Sequence, residues 1–146
     1  MHKKMYQRDY ILRMIEMIGE FIAAILGLIR KGKFQEAEKG LSNLYYDVLK
    51  EDAAYFRNLK EEDLTTTLLK DHNYTNNHLE ILAELFNAEA ELSLARGNNK
   101  ACLEYSGKSL ILFEFVDAEQ KLYSLDRINK MEHIRKRIEK VSSGKE

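Results

Sequence analysis

The stretch YILRMIEMIGEFIAAILGLI, residues Tyr10–Ile29, is the most apolar part of the chain. Its polar positions recur at steps of three and four residues, so a helix gathers them into one narrow stripe. The stripe contains Arg13, Glu16, Glu20 and Gly27, and Lys31 follows it. An ordinary surface helix needs an apolar face of only about 100°, and this helix has far more. We therefore expect it to be buried on at least two sides.

The apolar positions of this helix fall into two rows. The first row is Ile11, Met14, Ile15, Ile18, Ile22, Ile25 and Ile29, and the second is Met17, Phe21, Ala24 and Leu28. Other helices of the same chain can cover both rows, or a second copy can cover one of them in a homodimer. The sequence leaves both explanations open.

The composition is that of one globular domain without sheets. The 146 residues include no proline and seven glycines, which is fewer turn residues than sheets and long loops usually need. The formal net charge of −1 argues against general nucleic-acid binding, which draws on a basic surface. We predict an all-α domain over residues 1–141 and a disordered tail over 142–146.

The single cysteine and the placement of charges favour a cytoplasmic protein. Cys102 has no second cysteine with which to form an intramolecular disulfide, as is common in a reducing compartment. The basic start MHKK resembles a signal peptide, but Arg13, Glu16 and Glu20 interrupt the apolar run after it. Its longest uncharged piece, Phe21–Ile29, is about half of the ~20 residues that a membrane span requires.

Periodicity and capping signals divide the chain into about six helices. We predict helices over residues 6–30, 33–56 with a bend near 50–52, 61–70, 77–96, 98–116 and 117–141. Gly32 and Gly97 are expected to end helices in the left-handed conformation. The pairs Asn58/Glu61, Asn77/Glu80 and Asp117/Gln120 have the spacing of helix N-caps, and Asp71–Thr75 is the clearest loop.

The helix predicted over 77–96 repeats the pattern of the first helix. One apolar row is Ile81, Leu85, Ala88, Leu92 and Ala95, and a second is Leu79, Leu82, Phe86 and Ala90. A thin polar stripe of Glu80, Glu84, Asn87 and Glu91 separates them. We therefore expect this helix also to have neighbours on several sides.

Two helical hairpins share a spacing around their turns. Gly32-Lys33-Phe34 precedes Ala37, Leu41 and Leu44, and Gly97-Asn98-Asn99 precedes Cys102, Ser106 and Ser109. A large aromatic, Phe21 or Phe86, stands eleven residues before each glycine. This spacing resembles a tetratricopeptide-repeat (TPR) unit, although Asn99 replaces the expected aromatic and the glycines are 65 residues apart. With its YQRDYILRMIE opening, the chain also resembles a family of small bacterial all-helical proteins of unknown function.

The resemblance implies an all-α, TPR-like stack of antiparallel helix pairs with a C-terminal capping helix, from a bacterial cytoplasm, and it implies no activity. By position, the concave, partner-binding residues would be Ile22, Leu26, Ile29 and Arg30 in the first unit and Glu84, Asn87 and Glu91 in the second. TPR clamps for terminal carboxylates use Lys, Arg and Asn at such positions. This chain offers apolar and acidic residues there, so that ligand is not expected.

Catalytic motifs are incomplete throughout the sequence. Gly107-Lys108-Ser109 resembles the end of a phosphate-binding loop, but position 102 is cysteine where the motif needs glycine. His2, His72, His78 and His133 lack the spacing of metal ligands, and Cys102 is expected to be a buried thiol. We predict a non-enzymatic protein–protein interaction module or scaffold, without cofactor or metal. An enzyme that uses Cys102 or a histidine is the less favoured alternative.

Charge is divided unevenly along the chain. Residues 51–104 contain 11 acidic and 5 basic side chains, whereas residues 121–146 contain 8 basic and 4 acidic ones. The basic helix is expected to present a solvated face. The alternatives are an acidic partner, the acidic surface of a second copy, or a membrane surface, so that peripheral membrane or lipid binding is the second functional hypothesis.

Overall fold

The computed structural model describes the backbone of residues 2–120 and 123–144, and side chains from Arg13 onward except that of Met14. The described residues form seven α-helices and no β-strand, which confirms the all-α prediction. The helices are α1 His2–Arg30, α2 Phe34–Leu44, α3 Ala53–Arg57, α4 Thr66–Asp71, α5 Asn76–Ala95, α6 Asn99–Glu119 and α7 Leu125–Ser142.

Two glycine turns close the long hairpins. Gly32 ends the turn after α1 with φ of 78°, and Gly97 lies between α5 and α6 with φ of 80°. A side chain with a Cβ is strained in this left-handed region, so glycine is favoured at both places. The predicted turns at these glycines are confirmed.

The second predicted helix is interrupted after α2. The backbone widens into a π-helical turn over Tyr45–Leu49, and Lys50 then takes the left-handed conformation with φ of 65°. Tyr45 and Leu49, at the two ends of this turn, are both buried, and the Tyr45 ring stacks on Phe56 with centroids 5.5 Å apart. The expected bend near residue 50 is therefore a break, and α3 is a separate short helix.

The predicted capping pair Asn58/Glu61 is wrong. Residues Glu61–Asp63 form a single 3₁₀ turn that begins after Lys60, and α4 starts only at Thr66. Leu64 and Leu68 are fully buried on either side of this late start. The helix is therefore broken between the 3₁₀ turn and α4, where both leucines are buried and where the threonines have low helix propensity.

Helix α5 occupies the centre of the fold. It packs against α1, α2, the π-helical turn and α6, and both of its predicted apolar rows are buried except Ala95. Its N-terminal capping box uses Thr75 and His78, not Asn77 and Glu80. The expectation of neighbours on several sides is confirmed for this helix.

The boundary between the last two helices lies further along the chain than predicted. Helix α6 continues to Glu119, and α7 is capped by Ser124, whose hydroxyl oxygen accepts from the Arg127 amide over 3.2 Å. Asp117 therefore does not cap α7; it accepts a hydrogen bond from Arg127 Nε at 2.9 Å instead. Ser142 belongs to α7, and residues 145–146 of the predicted tail lie outside the described part of the chain.

Among its described side chains, from Arg13 onward except Met14, helix α1 is buried on one side, so the expectation of two covered sides is wrong for this part of the helix in the single chain. Ile18, Ile22, Ile25 and Ile29 are at most 8% exposed and belong to the core, which they share with α2 and α5. In the second row, by contrast, Met17 is 54% and Phe21 52% exposed. Because α2 and α5 both pack on the isoleucine side, no described helix covers Met17, Phe21 and Ala24, whereas Leu28 of the same row is half-buried against the core.

Candidate functional site

The exposed row of α1 forms one wall of an apolar groove. This groove, which we call the α1–α2 groove, has a volume of about 430 Å³. The α1 wall is Met17, Phe21, Ala24 and Leu28, and the opposite wall is Asn43, Leu44, Asp47 and Val48 from α2 and the π-helical turn. Asn43 and Asp47 add polar groups to a surface that is otherwise apolar.

A close approach of the two helices shapes the groove. Gly40 of α2 faces Ile25 of α1, and a Cβ at Gly40 would lie 3.2 Å from Ile25 Cγ1. The missing side chain lets α2 lie against the isoleucine row and leaves the neighbouring row of α1 uncovered. Ile25 and Leu44 are buried beneath the groove and hold its floor in place.

The concave residues proposed for the first repeat unit do not form one open surface. Ile22 and Ile29 are buried in the core, and Leu26 is half-buried. Of this group only Arg30 is fully exposed to solvent. The adjoining second row, with Phe21 at its centre, is the accessible apolar surface of α1.

In the second unit, the acidic stripe of α5 faces the last helix. Arg127 Nη1 donates to Glu80 Oε1 at 3.0 Å, Lys130 Nζ donates to Glu84, and Arg137 Nη1 donates to Glu91 Oε1 at 2.7 Å. We call this row of ion pairs the α5–α7 seam. Acidic residues that come later in α5 pair with basic residues that come later in α7. The two helices therefore run parallel to each other.

Burial and pairing oppose each other within the seam. Burial raises the pKa of Glu84, while the Lys130 ammonium lowers it, and the net direction is upward. Burial also lowers the pKa of Lys130, but Glu84 and Asp126 reverse this and raise it overall. The seam accounts for part of the uneven charge of the sequence, because three basic residues of α7 have acidic partners on α5 of the same chain.

A further charged cluster, which the sequence patterns did not predict, lies in the core. Glu89 Oε2 accepts from the Tyr45 hydroxyl at 3.0 Å and from Arg57 Nε at 2.5 Å. Burial, followed by the Glu89 charge, raises the pKa of Tyr45 well above its ordinary value. One sequence feature could have indicated the cluster: Glu89 lies on the apolar side of α5, outside the acidic stripe. The α1–α2 groove is not lined by any of these three residues.

The other candidate residues have packing roles. Cys102 is fully buried, as predicted, with Sγ 3.9 Å from Ser106 Oγ. Ser109 donates to the Ala83 carbonyl at 2.7 Å and Lys108 to the Arg57 carbonyl at 3.2 Å, so the Gly107-Lys108-Ser109 segment joins helices. In the described ranges, no three His, Cys, Asp or Glu side chains are grouped to hold a metal ion.

Comparison with known proteins finds no match for this chain. No family model matches the chain, and neither a curated protein nor a solved structure shows significant similarity to it. Among the helices that the structure describes, none has both the length and the apolar character needed to cross a membrane.

Proposed function

We propose that the protein is a non-enzymatic interaction module that binds another protein through the α1–α2 groove. The observation that carries this proposal is the exposure of Met17 and Phe21, each more than half accessible, beside a groove with apolar walls. Large apolar side chains that share one exposed patch are typical of interaction sites. Association would remove the exposed half of each side chain from water, which is worth about 1 kcal/mol for each of the two.

A TPR-like arrangement is the architecture that this proposal implies. Short glycine turns join α1 to α2 and α5 to α6, as expected for antiparallel helix pairs. Helix α7 lies against α6 and covers the acidic stripe of α5, in the manner of a terminal cap. The interruption between α2 and α5 departs from a regular repeat.

A second copy of the chain is the occupant that the α1 row fits best. In an antiparallel pair of α1 helices centred between Ile22 and Ala23, Phe21 lies opposite the partner subunit's Ala24. Met17 then lies opposite the partner subunit's Leu28. The large Phe21 then faces a small alanine, and Met17 faces a leucine of similar volume, so both pairs can pack in a two-fold interface.

Sedimentation equilibrium of the full chain tests the homodimer. We expect concentration-dependent association at high micromolar concentration, and its loss in Phe21→Glu. Tyr123→Glu is the matched control, because Tyr123 is 76% exposed and lies outside the groove. If the wild-type chain stays strictly monomeric, a second copy is ruled out as the partner that covers the α1 row. An affinity pull-down with wild type and Phe21→Glu then tests for a different protein in the same groove.

Peripheral membrane binding through the same row is the alternative. Arg13 is exposed on α1 beside the apolar row, and Lys31 is exposed directly after the helix ends, a combination that suits anionic lipid headgroups. Flotation with vesicles of equimolar phosphatidylserine and phosphatidylcholine distinguishes membrane binding from protein binding. Partition that Phe21→Glu abolishes supports the membrane role, and no partition of wild type ends it.

A further inference from the structure

A second groove lies between the α5–α6 turn and the C-terminal half of α7. This cavity, which we call the α7 groove, has a volume of about 550 Å³ and shares no residue with the α1–α2 groove. The lining residues on which the inference rests are Leu94, Asn99, Lys136, Arg137, Lys140 and Val141. Ligand binding at the α7 groove would not depend on protein binding at the α1–α2 groove.

The charges of this groove are unbalanced toward the positive. Lys136, Arg137 and Lys140 line it together with a single carboxylate, that of Glu91. Glu91 Oε1 is already engaged, because Arg137 Nη1 lies 2.7 Å and His133 Nε2 3.2 Å from it. Lys136 Nζ lies 3.6 Å from Glu132 Oε1, which is outside the groove lining, and Lys140 has no ion-pair partner among the described residues. The groove therefore favours an anion, since its one acid is occupied and its lysines are accessible.

Arg137 is a nearly buried hydrogen-bond donor in the wall of the groove. The residue is 6% exposed, with Nε donating to Ser106 Oγ at 3.0 Å and Nη1 to Glu91. Its third nitrogen, Nη2, is buried and has no hydrogen-bond partner in the described structure. A buried guanidinium N–H without an acceptor is uncommon, so this nitrogen is a ready donor to an anionic oxygen that approaches it.

Two aliphatic side chains complete the wall of the groove. Leu94 is 37% exposed at the end of α5, and Val141 is half-buried on α7. Both line the same cavity as the lysines. A ligand that carries an anionic group alone would leave these two side chains in water, whereas an attached aliphatic chain would cover them.

We propose that the α7 groove binds a carboxylate attached to a short aliphatic chain. The carboxylate lies near the ammonium groups of Lys136 and Lys140, and Arg137 Nη2 donates to one carboxylate oxygen while Nε and Nη1 keep their bonds to Ser106 and Glu91. The aliphatic chain packs against Leu94 and Val141. This chemistry occurs both in a free short-chain acid and at the end of a peptide with an aliphatic last residue.

Methyl NMR of the full chain tests the proposal, with octanoate as the free acid and N-acetylleucine as the peptide end. For ligands of this size we expect a dissociation constant on the order of 1 mM, from the shifts of the Leu94 and Val141 methyl signals. Acetate, which lacks the chain, should bind at least about tenfold more weakly. The tighter of the two aliphatic ligands identifies the source.

Two charge-reversal variants provide the comparison. Lys140→Glu should weaken octanoate binding by about fivefold or more, because it replaces an attracting charge with a repelling one. Arg135→Glu changes the charge of α7 equally but lies outside the groove, and should bind octanoate like wild type. The proposal is overturned if neither aliphatic ligand shifts the Leu94 and Val141 signals, or if the two variants weaken binding equally.

Discussion

The hydroxyl of Tyr45 donates to Glu89 Oε2 over 3.0 Å, and both residues are buried between the helices. Arg57 Nε completes the cluster with a second hydrogen bond to the same oxygen at 2.5 Å. A buried carboxylate is tolerated only when charge and hydrogen bonds compensate for its lost hydration. The two donors supply this compensation and tie the π-helical turn and α3 to the central helix.

Replacing Glu89 should therefore destabilise the fold strongly. We expect Glu89→Ala to lower the free energy of unfolding by about 3 kcal/mol, because it leaves the Arg57 charge and the Tyr45 hydroxyl without their acceptor. Tyr45→Phe should cost about 1 kcal/mol, since Arg57 still pairs with the carboxylate. Urea denaturation measures both. The exposed Glu36→Ala is the control, and an equal loss in that variant would contradict the structural role of Glu89.

The cap of α5 should make stability depend on pH. His78 Nδ1 accepts from the Thr75 amide over 3.0 Å, and burial lowers the pKa of His78 below 6.5. The unfolded chain therefore takes up the proton at a higher pH than the folded chain. Stability from this group is complete above pH 6.5 and declines as the pH falls through the folded-state pKa.

Unfolding in urea at about pH 7.5 and about pH 5 measures this decline, since the ordinary histidine pKa lies between them. His78→Gln, which keeps a capping acceptor at the same position, should show a smaller decline than wild type. His133→Gln changes an exposed histidine of α7 and should keep the decline. If His78→Gln declines as steeply as wild type, the cap is not the group that titrates.

A charge swap tests the α5–α7 seam. Glu84→Lys places two ammonium groups together at a largely buried position, and should lower the free energy of unfolding by about 2 kcal/mol. The double variant Glu84→Lys/Lys130→Glu restores opposite charges and should recover part of that loss. Recovery is measured as a coupling free energy in a double-mutant cycle. Purely additive effects would show that the two side chains do not interact.

The contact between α1 and α2 should not tolerate a side chain at Gly40. We expect Gly40→Leu to cost about 1–3 kcal/mol, because even a Cβ would lie 3.2 Å from Ile25 Cγ1. Lys39→Leu introduces the same residue at an exposed neighbouring position of α2, and should change stability by less than about 0.5 kcal/mol. Thermal or urea unfolding compares the two, and equal stability of both variants would contradict the close approach.

The sequence predicted the fold best where periodicity and glycine turns agree. The two apolar rows of α5 and the turns at Gly32 and Gly97 follow from local rules, and the structure confirms them. The π-helical turn after Leu44 could not be predicted, because no residue type marks the extra residue that it accommodates. Its position is set by the tertiary packing of Tyr45 on Phe56.

The candidate surfaces were only partly predictable, for a physical reason. Periodicity identified the row that contains Phe21 and the acidic stripe that contains Glu84, but it cannot tell which apolar row meets a neighbour. That choice depends on where α2 and α5 lie, and both cover the same side of α1. Likewise, the separated acidic and basic halves of the sequence gave no sign that Glu84 and Lys130 would meet within one chain.

The central position of α5 also bears on the order in which the chain folds. Helices α5 and α6 are joined by the three residues 96–98, so the entropy lost in bringing them together is small. Contacts between α1 and α5 must instead close a loop of about 45 residues that contains the irregular middle segment. We expect the α5–α6 hairpin to form early and α1 to dock late. During synthesis α1 would then leave the ribosome before α5 and α6, and its isoleucine row would stay in water until those two helices have paired.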